Sequence, residues 1–196
     1  MQTIRYTIKG INELLTNNPQ SVDPFNKYAR SKKTITKKKA KLDEDLLELR
    51  RLDIEAKTYF DDQLKVYVPS SWVVASIAAN SWTRAKIKKA DIRSAVLPTS
   101  SKLKLSYDGE DSVKELSDIS RNGRFQKVLL LRQGTDKIAK ATPVFNNWSF
   151  DVELDVDDSI IDIGSLRALV EHGARYGGYG DFRPSYGIAV VEWHDD

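Results

Sequence analysis

The stretch FDVELDVD, residues 150–157, alternates apolar and acidic side chains without a break. Successive side chains of an extended chain point to opposite faces, so Phe150, Val152, Leu154 and Val156 share one face. Asp151, Glu153, Asp155 and Asp157 share the other. The segment therefore reads as a strand with one face on a core and one acidic face in water, a pattern that fits an antiparallel sheet. Downstream, Asp162 is placed to cap a helix that carries Ile163, Leu166, Leu169 and Val170 inward and stops at Gly173. A glycine-rich loop and a closing strand, YGIAVVEW, complete the chain.

Upstream, residues 2–9 alternate in the same way, with Ile4, Tyr6 and Ile8 on one face. Ile11, Leu14 and Leu15 predict a short helix ended by Asn17-Asn18-Pro19. Leu42, Leu46, Leu49 and Leu52 have helical spacing, and Asp43-Glu44-Asp45 puts acid where the helix dipole favours it; a strand is expected after Asp53. Val66–Pro69 reads as extended. Ser70 or Ser71 then caps a helix to about Ile87, with Trp72, Ala75, Ala79 and Trp82 on one face. Strands are expected at 92–97, 103–107 and 125–131. The order fits an α+β fold with helices on one face of a sheet. The best architecture is a single domain, 1–196, with a ferredoxin-like (RRM-like) βαββαβ core and antiparallel sheet, elaborated by a basic loop insertion and an extended β-hairpin.

The chain has 196 residues, 40% hydrophobic and 30% charged, which excludes a wholly disordered chain, and the lack of periodic glycine excludes a fibrous one. It has no cysteine, so disulfides, thiolate zinc sites and thiol catalysis are excluded. Two histidines are too few for an imidazole metal cage without carboxylates, and neither a metal nor a cofactor is expected. The longest uncharged stretch, Val66 to Thr83, contains Pro69, four serines and Asn80, which is too polar to span a bilayer. With no secretory signal in MQTIRYTIKG, a soluble, cytoplasmic protein is expected.

Thirty-one basic against 28 acidic residues give a net charge of only +3, but the charges are segregated. Pro24–Leu42 carries eight cations in nineteen residues and no acid: Lys27, Arg30, Lys32, Lys33, Lys37, Lys38, Lys39 and Lys41. With few apolar residues to pack, it reads as an exposed basic loop at about 24–42. Uncompensated cations there gain affinity for phosphate by releasing counterions. Arg84, Lys86, Lys88, Lys89 and Arg93 either extend that track or compensate a helix dipole. The segment GARYGGYGDFRPSYG, residues 173–187, holds five of the ten glycines, interleaved with Arg175, Tyr176, Tyr179, Phe182, Arg183 and Tyr186. Its glycines permit close backbone approach to a ligand, and its rings and guanidinium groups suit stacking on unpaired bases. The competing reading is a helix cap followed by a tight, aromatic-pinned turn. Rossmann and P-loop glycines open a helix after a strand, an order absent here.

The carboxylates of 151–158 lie about 7 Å apart along one strand face, wide for one metal ion. They read either as a guard on a sheet edge or, through Asp151, Glu153, Asp155 and Asp157, as a contact for a neighbouring protomer's basic surface in a head-to-tail assembly. The single weak catalytic candidate is His172, as the general base of a metal-independent endoribonuclease.

Two stretches, VYVPSSWVVASIAANSWTRAKIKKADIRSAVLP and the C-terminal helix, Gly-rich loop and strand ending YGIAVVEW, together resemble the RAMP superfamily, the RRM-like proteins that build CRISPR effector complexes. The resemblance covers about a third of the chain and is nearest to solitary, phage-encoded members. It implies a ferredoxin-like fold and a non-enzymatic protein that binds single-stranded RNA or DNA and lines up along it as a homo-oligomer. An alternative reading is a phage-encoded protein, acting in a bacterial host cell, that mimics or inhibits a CRISPR effector subunit, with the acidic strand competing for a basic groove. Members that cut RNA generally use a histidine in the first helical region, and this sequence has none there.

Overall fold

A computed structural model describes residues 1–194, leaving the side chains of Gln133 and Asp136 aside. The chain opens with β1 (Gln2–Gly10) and β2 (Leu14–Leu15), then runs through α1 (Lys27–Thr36) and α2 (Asp43–Lys57). Next come β3 (Phe60–Asp61), β4 (Lys65–Pro69), α3 (Ser71–Ala79), α4 (Ser81–Ala85) and α5 (Lys89–Ala95). After β5 (Val96–Pro98), β6 (Lys102–Lys104) and α6 (Leu116–Arg121), a hairpin forms from β7 (Gln126–Gln133) and β8 (Asp136–Phe145). The last elements are β9 (Ser149–Val156), α7 (Ile163–His172) and β10 (Ala189–Trp193). The fold is α+β with antiparallel sheets.

Two compact units share the chain. The first comprises residues 1–14, 66–108 and 146–196, and the second comprises 15–65 and 109–145. The first is built on a sheet ordered β10-β1-β9-β5, in which every neighbouring pair is antiparallel. The alternation that marked 150–157 sets its register: Ile8 faces Phe150, Tyr6 faces Val152 and Ile4 faces Leu154. These side chains are buried under α3, α5 and α7, which bring Val73, Ile77, Ile92, Leu166, Leu169 and Val170 to the same core. Asp162 caps α7 as its position predicts, its carboxylate accepting from the Ser165 N–H at 2.8 Å.

The helical face of α3 differs from the expectation. Val73, Ser76 and Ile77 are buried, while Ala75, Ala79 and Trp82 lie outward. The reason is Gly173: a Cβ there would overlap the Ser76 side chain and lie 3.0 Å from its carbonyl oxygen. This contact between small residues seats α3 on the end of α7 by the Ser76 face. The expected single helix to Ile87 also breaks at Asn80, and α4 ends with Lys86 in the left-handed region at φ 59°. Of the strand expected at 92–97, residues 92–95 lie instead in α5 (Lys89–Ala95), so only Val96–Pro98 joins the sheet.

The second unit contains α1, α2, α6 and the β7–β8 hairpin. The basic loop expected at 24–42 is instead helical over Lys27–Thr36. The Asn26 side chain caps this helix by accepting from the Tyr28 N–H at 2.9 Å, and Tyr28 is its buried residue. One anchoring ring and one good cap suffice where apolar periodicity is missing. α2 runs on to Lys57 rather than yielding to a strand, because Ile54 and Ala56 both turn inward and the Thr58 hydroxyl closes the end on the Ile54 carbonyl at 2.8 Å. Leu14 and Leu15 form strand β2, not a helix. Among the described residues no helix is long and apolar enough to cross a membrane.

Candidate nucleic-acid interface

The surroundings of the acidic strand decide which face of the sheet can meet a polyanion. β9 lies between β1 and β5, so it is an interior strand and cannot guard an edge. Its carboxylates meet β1 residue by residue. Thr7 donates to Asp151 at 2.6 Å, Arg5 pairs with Glu153 at 2.5 Å, and Thr3 donates to Asp155 at 2.7 Å. Asp157 turns instead to the hydroxyl and N–H of Ser159, which hold its carboxyl below the usual carboxylate range. Lys9 completes the pattern with a salt bridge to Glu192 on β10, which lowers that carboxyl's pKa in turn. The open side of the sheet thus sets Arg5 and Lys9 against Asp151, Glu153, Asp155 and Glu192, an acidic balance with no aromatic ring among these outward positions. RNA-binding sheets of the RRM kind stack bases on aromatic side chains; among the described residues this face has no Phe, Tyr or Trp, and the His194 imidazole at its edge is hydrogen-bonded to the Thr7 hydroxyl at 2.8 Å.

The Gly-rich segment lies at the end of α7. Gly173–Gly177 makes one π-turn, closed by the Gly178 N–H on the Gly173 carbonyl at 2.9 Å. Such turns redirect side chains at a helix end. Here the turn leaves Tyr176 two-thirds exposed (66%) and tilted against His172, with ring centroids 4.8 Å apart and 36° between the ring planes. Arg175 is exposed beside it. Arg84, at the end of α4, which packs on α7, brings its charge to His172. Partial burial first, and that guanidinium second, hold the imidazole below the ordinary histidine pKa. Trp82, one helical turn from Lys86, is 55% exposed, and the Lys86 ammonium lies 5.9 Å from its ring centroid. Lys88, Lys89 and Arg93 follow along exposed positions of α5 and the segment before it.

Two sets of residues that looked separate in the sequence are therefore linked by α4 and α7: Arg84 of one reaches His172, against which Tyr176 of the other lies. Trp82, under the Lys86 ammonium, was missed because its spacing with Ala75 and Ala79 read as a core face. Tyr179, expected among the base-stacking rings, is a core residue instead. It is 1% exposed and meets Trp148 and Phe150 edge-on at 6.3 and 5.4 Å. Burial pushes its phenol pKa well up, partly offset by the Ser76 hydroxyl beside it.

The rest of the loop is held rather than free. Gly187, at φ +73°, has no space for a Cβ against the Tyr179 backbone. Its N–H donates to Glu13, and the Tyr179 N–H donates to its carbonyl at 2.8 Å. Asn12 ties the far end, donating to the Ser185 carbonyl at 2.9 Å and accepting from the Ile188 N–H at 3.0 Å. An amide directly after a strand gives no sequence signal for such a role. Phe182 is half-buried at φ 56° and Arg183 is exposed; both line a shallow cleft of about 350 Å³ with Gly177, Gly180, Asp181 and Pro184.

The basic segment belongs to the other unit. Lys32 pairs with Asp53 at 2.7 Å and Lys38 with Asp45 at 2.6 Å, so acids of α2 compensate cations that have no acid within their own segment. Lys33, Lys37, Lys39 and Lys41 are exposed. Among the described residues no group of three His, Asp or Glu side chains is placed to hold a metal ion. Family models and curated protein sequences contain no match to the chain, so the site stands on its own chemistry.

Proposed function

We propose that the protein binds single-stranded RNA or DNA through the patch formed by α4, the end of α7 and the π-turn. The observation that carries this reading is Tyr176: a ring held in water by a π-turn, backed by His172 and flanked by Arg84 and Arg175. Stacking on an exposed ring with cations along the backbone is how single strands are held without sequence readout. Lys86, Lys88, Lys89 and Arg93 extend the phosphate track, and Lys33, Lys37, Lys39 and Lys41 supply a second cationic surface. The strand order β10-β1-β9-β5, with helices preceding β5 and β10, supports a ferredoxin-like core and with it the likeness to RAMP proteins. The acidic sheet face moves the ligand off the sheet and onto its helical side. Head-to-tail assembly through the acidic strand has less support, since Thr3, Arg5 and Thr7 already engage its carboxylates.

Anisotropy titrations of labelled single strands at several salt concentrations test the reading. Tyr176→Ala is expected to weaken binding about five- to 150-fold, the worth of one stacked base, and to leave the salt slope unchanged. Arg84→Gln is expected to lower the slope by about 0.7, the share of one phosphate contact on a single strand. Binding without a salt slope, or unaffected by both substitutions, overturns the proposal.

A ribonuclease reading has one specific observation in its favour: an imidazole kept neutral beside a guanidinium is a fit general base. His172→Gln decides it. Equal products from wild type and variant, or none from either, remove the catalytic role and leave binding standing.

A further inference from the structure

In the sheet β2-β8-β7 the end strand is β7, QKVLLLRQ, which among the described residues pairs with β8 alone. Eight residues make a long edge, and the hairpin reaches it through a two-residue turn in which Gly134, at φ +64°, supplies the left-handed conformation. Folded proteins ordinarily blunt such an edge with proline, a bulge or an inward charge, because its backbone groups are a template for another strand. β7 has none of these between residues 128 and 131, which read Val-Leu-Leu-Leu. Val128 and Leu130, on one face, are 46% and 71% exposed. The edges of the four-stranded sheet differ: β5 has three residues, and β10 has five, with Glu192 tied to Lys9.

We propose that β7 is a dimerisation strand that pairs antiparallel with β7 of a second copy. The occupant follows from the register. A two-fold axis perpendicular to the sheet requires residues opposite each other to lie on the same face, so the axis must pass through a residue. With the axis at Leu129, Val128 meets the partner copy's Leu130 twice, Lys127 meets Leu131, and Gln126 meets Arg132. Every exposed apolar side chain on the edge then finds an apolar partner and no like charges are opposed. An axis at Leu130 sets Val128 against Arg132, and one at Val128 sets Leu130 against Gln126; both set an exposed apolar residue on a polar one, whereas with the axis at Leu129 the residue opposed to a polar one is Leu131, half-buried on the other face. On its exposed apolar face the strand is self-complementary in one register. The contact is isologous, so it closes at two copies rather than growing a filament, and it needs no nucleic acid.

Sedimentation equilibrium of the full chain, free of nucleic acid, tests this over a wide concentration range. The wild type is expected at twice the monomer mass. Leu130→Lys, at a position exposed enough to spare the fold, is expected at the monomer mass, and V128E/L130K is expected to restore the dimer by pairing opposite charges across the axis. Because the chain has no cysteine, single replacements report the register directly: Leu129→Cys is expected to form the symmetric disulfide faster than Lys127→Cys or Leu131→Cys. This arm stands even if Leu130→Lys misfolds. A monomeric wild type, a dimer that survives Leu130→Lys, or equal crosslinking at the three positions overturns the proposal, as does capture of an unlike strand in place of a second copy.

Discussion

Gly173 shows how a single missing Cβ sets the geometry of a candidate site. Because α3 closes on it through Ser76, α7 ends there and the chain must leave by a π-turn that lifts Tyr176 into water. Gly173→Ala must push Ser76, backbone included, and is expected to lose at least about 2 kcal/mol of stability by the measure of an overpacked core. Gly123→Ala, with nothing within 4 Å of the added carbon, is expected to stay within about 0.5 kcal/mol. Denaturant melts of the two variants compare them, and an equal loss in both would refute the packing argument.

Elements whose pattern is enforced by the core were legible in the sequence. β1, β9, the Asp162 cap and α7 follow directly from residues of period two or 3.6, because burial on one face leaves no freedom of register. Elements held by other means were not. Lys27–Thr36 has no apolar stripe and owes its helix to the Asn26 cap and Tyr28, neither of which stands out among eight cations. Asn26→Ala is expected to cost about 1 kcal/mol and to speed amide exchange across α1 before the rest of the unit; uniform exchange would show that the cap is idle. Ile54 and Ala56 two residues apart fit a strand as well as a helix, and only the tertiary context settles them. The site was half legible: cations and rings were visible, but that Arg84 meets the 172–176 segment while Tyr179 turns inward depends on how helices dock. The pairing of Lys32 and Lys38 with α2 has a consequence for binding. Replacing Lys33 and Lys37 together by alanine is expected to lower the salt slope more than replacing Lys32 and Lys38, whose charges are partly spent on Asp53 and Asp45.

On the acid side the shifted groups pull stability in one direction with pH, while the buried Tyr6 and Tyr179 phenols, raised chiefly by burial, act only on the alkaline side. Asp45, Asp118, Asp157, Asp162 and Glu192 all titrate below their ordinary values, chiefly through hydrogen bonds to Lys38, the Glu115 N–H, Ser159, Ser165 and Lys9. A carboxyl with a lowered folded pKa contributes stability that is complete above its unfolded value and is lost as the pH falls through the folded one. His172 is lowered too, by burial and by Arg84, so the unfolded chain takes up its proton first. Its contribution is complete above the ordinary histidine value of about 6.5 and is lost below it, well before any carboxyl responds. The melting temperature is therefore expected to fall in two limbs on acidification, a small one beginning near that value and a larger one in the carboxylate range. His172→Gln should erase the first limb and keep the second, because glutamine takes up no proton. Arg84→Gln should narrow the first limb without abolishing it, since burial, the larger cause, remains. A single acid limb in the wild type, or a first limb that persists in His172→Gln, would mean that the imidazole is not held between Arg84 and Tyr176, and the binding patch would lose its backing.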